Sequence, residues 1–262
     1  MMLDNIIPEL CEEIYQKLAL KEKSQEYNLG MEKKHEEDLI DLTNLHSWWL
    51  EFPALKRKIF TIGKSEREIK RALKRESRSG AKRVKLAWKF LRAYPQLSDN
   101  LNHKLIVDLG NIVEPDNEQA QNLGNLVLGN NEGYRTGSVT LGIPGYTPPN
   151  ARKVPELMTK LFEEVKTISN PIEAAIYLHL RVAGIQPLKY DGNKRTSRLL
   201  QNRILYENNL PPATVPIGER THYIETLSEA LIGHQEEDIK KMRPLYTYLA
   251  GKVNSHLDQR TI

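Results

Sequence analysis

The sequence predicts an all-α protein with one small β-hairpin. Three observations carry that prediction. Apolar residues recur three and four apart through most of the chain, capping residues stand ahead of those stripes, and the β-branched, glycine- and proline-rich composition of a hairpin is confined to one stretch, "GYRTGSVTLGIPGYTPPN". At 262 residues and 39% apolar content the chain can fill a core of one large or two small domains. Its single cysteine, Cys11, excludes an intrachain disulfide framework. The start, "MMLDNIIPELCEE", has acids early and no basic region ahead of an apolar run, and no apolar run is long enough to span a bilayer. The expected setting is the cytoplasm, with no membrane partner.

The elements follow in order. Residues 5–22 carry Ile6, Leu10, Ile14 and Leu18 four apart, with Asn5 as the expected cap and Pro8 in the first turn. Residues 35–50 carry Leu39, Leu42 and Leu45 three apart, ending before "EFPAL". Helices are expected over 64–78 and 81–93, separated by a turn at "SRSG", and then over 100–113, capped by Ser98 or Asp99. The Asn/Gln-rich run from Glu114 to Asn131 reads as a loop or a poorly ordered helix. The hairpin is expected next. Pro155 opens the helix "VPELMTKLFEEVKTI", and Asn170 with Pro171 opens "NPIEAAIYLHLRVAG". Three more helices are expected near 194–208, 219–232 and 237–253. The organisation expected is a basic N-terminal helical region over 1–97, a core domain over 98–252 and a tail over 253–262.

Charge is unevenly spread. Lys56 to Arg92 holds fifteen Lys or Arg against three acids, a local charge of +12, so with +4 overall the rest carries −8. Cations interleaved with Phe60, Trp88 and Phe90 suit a nucleic-acid backbone, but such a run is more often the solvated face of amphipathic helices, or docks on the acidic remainder.

The chemistry concentrates in "GIQPLKYDGNKRTSRLLQN". Gly192 permits a left-handed turn whose N–H groups converge on an anion, and a helix starts immediately after it. Lys194, Arg195 and Arg198 lie at the amino end of that helix, where cations oppose the dipole by about 0.3–1 kcal/mol each. Bound phosphate would relieve that opposition, and Asp191 would then hold a divalent cation. Spacing alone leaves open a second reading, in which the cations pair with acids of other helices and "DGN" is only a turn.

"DGNKRTSRLLQN" resembles the signature of the Fic family, His-x-Phe-x-Asp/Glu-Gly-Asn-Gly-Arg-x-x-Arg. The hairpin stretch is similar to that family's flap, "NPIEAAIYLHLRVAGIQP" to the helix leading into the motif, and "NNLPPATVPIGERTHYIETLSEAL" to the segment after it. The resemblance runs from about Ser98 to Lys252. It implies a helical core that binds ATP with Mg²⁺ and moves AMP, or another phosphorylated group, onto a hydroxyl of a target protein. It implies Asp191 as the metal ligand and Gly192, Asn193, Lys194, Arg195 and Arg198 as the phosphate cradle; Tyr223 is a candidate for the nucleobase pocket or equally a core tyrosine, and Asn202 is a weaker candidate for that pocket. It also implies a flap from about Tyr134 to Tyr146, with Val139 and Leu141, docking the target by strand addition.

Three departures qualify the resemblance. The motif histidine, the family's general base, is absent. Ungapped alignment puts Pro187 there. Aligning "IQP" with the family's "IHP" puts Gln186 there, places Leu188 at the phenylalanine and leaves one extra residue before Asp191; that alignment is preferred. A glutamine amide orients by hydrogen bonding but accepts no proton near neutral pH. His179, two helical turns back, is too far to substitute and reads as a packed histidine. Lys194 replaces a glycine, as in the Doc branch, which transfers phosphate. No Ser/Thr-x-x-x-Glu-Gly/Asn inhibitory helix occurs, so inhibition is expected from a separate protein or not at all. The sequence therefore supports a Fic-type transferase with reduced or altered chemistry, or a pseudoenzyme that keeps the cradle as a nucleotide- or partner-binding module.

Overall fold

The computed structural model of the chain describes residues 5–23, 43, 46–47, 50, 66–118 and 131–259. Nine α-helices are defined among them: α1 (Pro8–Lys23), α2 (Glu66–Arg92), α3 (Leu97–Asn100), α4 (His103–Val113), α5 (Val154–Thr167), α6 (Pro171–Ile185), α7 (Asn193–Glu207), α8 (Arg220–Glu236) and α9 (Ile239–Gln259). The expected helix over 35–50 lies outside the described residues except for Thr43, His46, Ser47 and Leu50. No helix among the described residues is long and apolar enough to cross a membrane.

Helices α6 and α7 form the central pair. Of the fifteen residues in α6, thirteen are buried, so it is packed on every side rather than along one stripe. Its start is the one the sequence gives away: the Asn170 side chain accepts from the N–H groups of Ile172 and Glu173, with Pro171 in the first turn. Helix α5 packs on α6, and α8 and α9 pair with each other against it. A single apolar cluster joins Ile6 and Ile14 of α1, Val84 and Trp88 of α2, and Leu178 and Leu180 of α6.

Four local expectations are corrected. Asn5 does not cap α1 with its side chain; the buried carboxylate of Glu173 accepts from the N–H groups of Asn5 and Ile7, both at 2.7 Å, closing that helix from outside. The expected turn at "SRSG" is absent, because α2 runs unbroken from Glu66 to Arg92. Gly80 is buried there and Ser79 accepts from Arg83 at 2.9 Å. The packing of Val84, Ala87, Trp88 and Leu91 outweighs the roughly 1 kcal/mol that an internal glycine costs. Lys82, Lys85, Lys89 and Arg92 stay on its exposed side. Neither Ser98 nor Asp99 caps α4; both belong to α3, and Asn102 caps α4 by accepting from Leu105 N–H. Finally, residues 131–150 form no strand. They run as an extended loop whose backbone bonds go elsewhere, above all to Arg135.

Candidate functional site

Helix α7 begins at Gly192, whose φ of 93° is the left-handed value that glycine adopts freely. A Cβ there would lie 3.2 Å from Val113 and 3.4 Å from Glu114, so the turn is also tightly packed. No side chain caps this helix; the first intrahelical bond runs from Thr196 N–H to Gly192 O. The Asn193 side chain turns back and accepts from Leu188 N–H at 2.8 Å. The cap residue, a glycine, has no side chain to bond the first N–H groups of α7.

Asp191 and Arg195 flank that end. One Asp191 oxygen accepts from Gly192 N–H at 2.6 Å; the other lies 3.1 Å from Arg195 Nη2, and the side chain is 60% exposed. Arg195 is buried. Its Nη2 also donates to Glu114 Oε2 at 3.1 Å and its Nη1 to Val113 O, while its Nε has no partner. The guanidinium thus pairs with an acid of another element, as the second of the two sequence readings has it. Lys194 is half-buried, its carbonyl accepting from Ser197.

Two residues that sequence reasoning missed hold this turn. Glu114 follows the last residue of α4. Asn117, three residues on, accepts with Oδ1 from Tyr190 and Asp191 N–H and donates with Nδ2 to Asp191 O and Gly110 O. One buried amide thereby supplies the bonds that a neighbouring strand would give to an extended loop. Their partners lie 74 to 81 residues away, so no local pattern marks them.

One turn into α7, a second cluster forms. Arg198 donates to Ser47 Oγ and Ser47 O, both at 2.9 Å, and to the Tyr223 hydroxyl at 3.3 Å. Tyr223 is fully buried; its hydroxyl is 2.8 Å from His179 Nε2, and His179 Nδ1 meets Gln201 Oε1. Burial, with the charge of Arg198 beside it, lowers the His179 pKa to about 3. The imidazole is engaged on both nitrogens and sealed from solvent, as a packed histidine is. Asn202 accepts from Ala213 N–H at 3.0 Å and fixes the segment after α7.

Gln186 ends α6 in a left-handed conformation, φ 54°, uncommon for a residue with a Cβ. Its amide folds back and donates to Ala183 O at 2.5 Å. Its carbonyl accepts from Arg135 Nε at 2.8 Å. Arg135, which is buried, also donates to Gly137, Pro149 and Ile185 carbonyls, and its N–H donates to Pro187 O. It fastens the 131–150 loop onto the carbonyl end of α6, where a cation is favoured. Within the loop, Tyr134 is wholly buried with its hydroxyl on His103, so it belongs to the core. Val139 and Leu141 are half-buried. Tyr146 lies over Gly184, where a Cβ would come within 2.7 Å of the tyrosine hydroxyl. Among the described residues no group of three or more His, Cys, Asp or Glu side chains could hold a metal ion.

Residues 101–205 match the model of the Fic/DOC family. The chain is 33% identical over 129 residues to a protein named protein adenylyltransferase Fic from Drosophila persimilis, and 29% identical over 177 residues to its namesake from Drosophila mojavensis. These alignments cover 48% and 66% of this chain and 23% and 32% of those proteins, so the chain spans about a quarter to a third of their length. Among solved structures, a Fic domain containing signaling protein from Bacteroides thetaiotaomicron superposes with a TM-score of 0.67 at 18% identity, covering 95% of this chain and 94% of that one. Fic-1 (residues 134–508) from C. elegans superposes at 0.60 and 21% identity, covering 96% and 70%. At those identities the likeness is one of fold.

Proposed function

The chain belongs to the Fic/DOC family through residues 101–205, and on that premise we propose that it binds ATP with Mg²⁺ at the amino end of α7 and transfers AMP, or another phosphate-containing group, to a hydroxyl of a target protein. The observation that carries this reading is the uncapped amino end of α7, with Gly192 left-handed and Arg195 buried beside it with an unpartnered Nε. A guanidinium donor beside a helix amino end suits phosphate oxygens. The curated relatives' name, protein adenylyltransferase, supports the same reading.

Each residue has a task in it. The exposed carboxylate of Asp191 holds the divalent cation. Backbone N–H groups of the first turn of α7 and the Arg195 guanidinium bind phosphate. Arg198 reaches the nucleotide only if its bonds to Ser47 break. The target lies along the 131–150 loop, with Val139, Leu141 and Tyr146 as its contacts. When bound, MgATP supplies an electrophilic phosphorus and a leaving group whose charge the metal neutralises. Calorimetric titration with ATP and Mg²⁺ tests the reading. Arg195→Ala should weaken binding by about 1.5–3 kcal/mol, the worth of hydrogen bonds to charged groups. No heat at millimolar ATP would sink it.

Gln186 favours a second reading, a module that binds nucleotide without turning it over. Its amide is spent on Ala183 O and accepts no proton. General-base catalysis is typically worth 10²–10⁴-fold. Self-modification with ATP labelled at the α or γ position separates the readings: label from α means AMP transfer, label from γ alone means phosphotransfer, and no label means a binding module. Gln186→His, combined with deletion of Lys189 to remove the extra residue, should raise any transfer above wild type.

A further inference from the structure

Glu114 and Asp191 are built as a pair. Glu114 Oε2 and Asp191 Oδ2 each lie 3.1 Å from one nitrogen, Arg195 Nη2, so the two oxygens are at most twice that, 6.2 Å, apart. Their backbones are tied through one residue: Asn117 N–H donates to Glu114 O at 3.0 Å, and the Asn117 side chain binds both the N–H and the C=O of Asp191. Glu114 N–H in turn donates to Gly110 O at 2.8 Å, the carbonyl that Asn117 Nδ2 also grips. The two carboxylates are held on one small frame, and Arg195 is the cation between them.

We propose that Glu114 is a second metal-ligating carboxylate, which with Asp191 forms the protein's share of a divalent-cation site and makes nucleotide binding depend on that cation. The inference rests on the nucleotide-binding reading above.

The charges require it. Two carboxylates and one guanidinium sum to −1, and the Glu114 side chain is only 15% exposed, where screening is weak. A free triphosphate arriving at Arg195 would meet two carboxylates at the same nitrogen it needs. A divalent cation between the carboxylates reverses that repulsion. Arg195 then has somewhere to go, because its buried Nε has no partner and needs an acceptor such as a phosphate oxygen. As the guanidinium turns to phosphate, the carboxylate oxygens it held are released to the cation. Mg²⁺ is commonly bound by one or two carboxylates, with substrate phosphates and water completing an octahedron at about 2.1 Å. Among the described residues no third His, Cys, Asp or Glu joins the pair, so phosphate oxygens and water would complete the shell. Neighbouring oxygens on such an ion lie about 3 Å apart, so closing the pair needs at most about 3 Å of relative movement, within reach of side chains on a fixed frame.

The test uses the full chain with Glu114→Gln, which keeps an acceptor for Arg195 and loses the charge, and Glu114→Asp, which keeps the charge. Asp191→Asn serves as the reference. Mn²⁺ binding is read by electron paramagnetic resonance, first with Mn²⁺ alone and then with ATP. The thermal midpoint of each variant confirms folding. Glu114→Gln should raise the Mn²⁺ concentration needed for half-maximal ATP binding by about tenfold or more, as Asp191→Asn does, and Glu114→Asp should restore part of the loss. The Mn²⁺-alone arm should show the same order. An unchanged Mn²⁺ requirement in Glu114→Gln, with ATP still bound, overturns the second carboxylate and leaves the nucleotide reading standing. So does ATP binding that tightens equally in Mn²⁺ and in EDTA, since Glu114 would then be only an internal counter-ion of Arg195. A wild-type chain that binds neither Mn²⁺ nor ATP overturns both.

Discussion

Helices α6 and α7 lie side by side and are buried to nearly the same extent, yet they are opposite in kind. Of the thirteen buried residues of α6, only Glu173 and His179 are charged or strongly polar. Of the twelve buried residues of α7, eight are polar: Asn193, Arg195, Thr196, Ser197, Arg198, Gln201, Asn202 and Arg203. Burying α6 stabilises the fold through apolar area alone. Burying α7 costs free energy at each polar group unless a partner meets it. Those partners come from every direction: Glu114 for Arg195, Ser47 for Arg198, His179 for Gln201, Ala213 N–H for Asn202, and the carbonyls of Leu91 and Tyr94 for Arg203. The apolar helix drives collapse, and the polar one selects which elements surround it. Its amino end starts from a left-handed glycine with no capping side chain of its own.

The largest effect that tests this division is a truncation in α6. Leu180 is fully buried, so Leu180→Ala should cost about 2–5 kcal/mol of stability, measured by urea unfolding. Nucleotide affinity per folded molecule should not change. If affinity falls in step with stability, the two helices are not separable in role.

Next in size is Arg203→Met in α7. It preserves volume and removes the donor to the Tyr94 carbonyl and the cation beside Glu207, while Leu91 O keeps the Tyr94 N–H and Glu207 keeps the Leu97 N–H. An abandoned buried acceptor costs about 1–3 kcal/mol. Because those carbonyls end α2, limited proteolysis should release the N-terminal helices before global unfolding. A variant as resistant as wild type would show that α7 does not organise its surroundings through its polar groups.

The two helices also differed in how far they could be read beforehand. Nearly all of α6 was legible, because its cap, proline and apolar content are local signals. For α7, the left-handed Gly192 and the cations at its start were legible too, and they pointed to an anion. What closes the site was not: Glu114, Asn117 and Arg135 act on residues far along the chain, and an isolated Asn or Glu in a polar stretch carries no mark of that. Local rules also misjudged α2, where packing of Trp88 and Leu91 carries a helix through a serine–glycine turn signal. They misjudged 131–150, where a buried arginine consumes the carbonyls that a hairpin would have paired.

A smaller effect tests the contact between the helices through pH. Burial and the neighbouring Arg198 lower the His179 pKa to about 3; burial and the neighbouring Arg181 and Lys160 do the same for His234, which packs on α6 through Tyr177 and Arg181. The unfolded chain takes up protons near pH 6.5 and the folded chain does not. Stability is therefore complete above that pH and is lost as pH falls toward 3. Each histidine should cost about 2 kcal/mol between pH 7.5 and 5. His179→Gln should remove about half of that slope, read from urea midpoints at the two pH values. An unaltered slope would place the pH dependence in other groups.

The smallest expected effect compares the amino ends of the two helices. Asn170→Ala opens the end of α6 and should cost about 1 kcal/mol, the usual worth of a cap. The opened end should still reject anions, because Glu173 sits in its first turn, whereas the first turn of α7 has no acid. Inorganic phosphate at tens of millimolar, with Mg²⁺ present, should therefore raise the thermal midpoint of wild type and of Asn170→Ala by the same amount, through α7 alone, and should do so far less in Arg195→Ala. A phosphate response that is larger in Asn170→Ala than in wild type would mean that any uncapped helix end in this fold takes up phosphate. The open end of α7 would then lose its standing as a site.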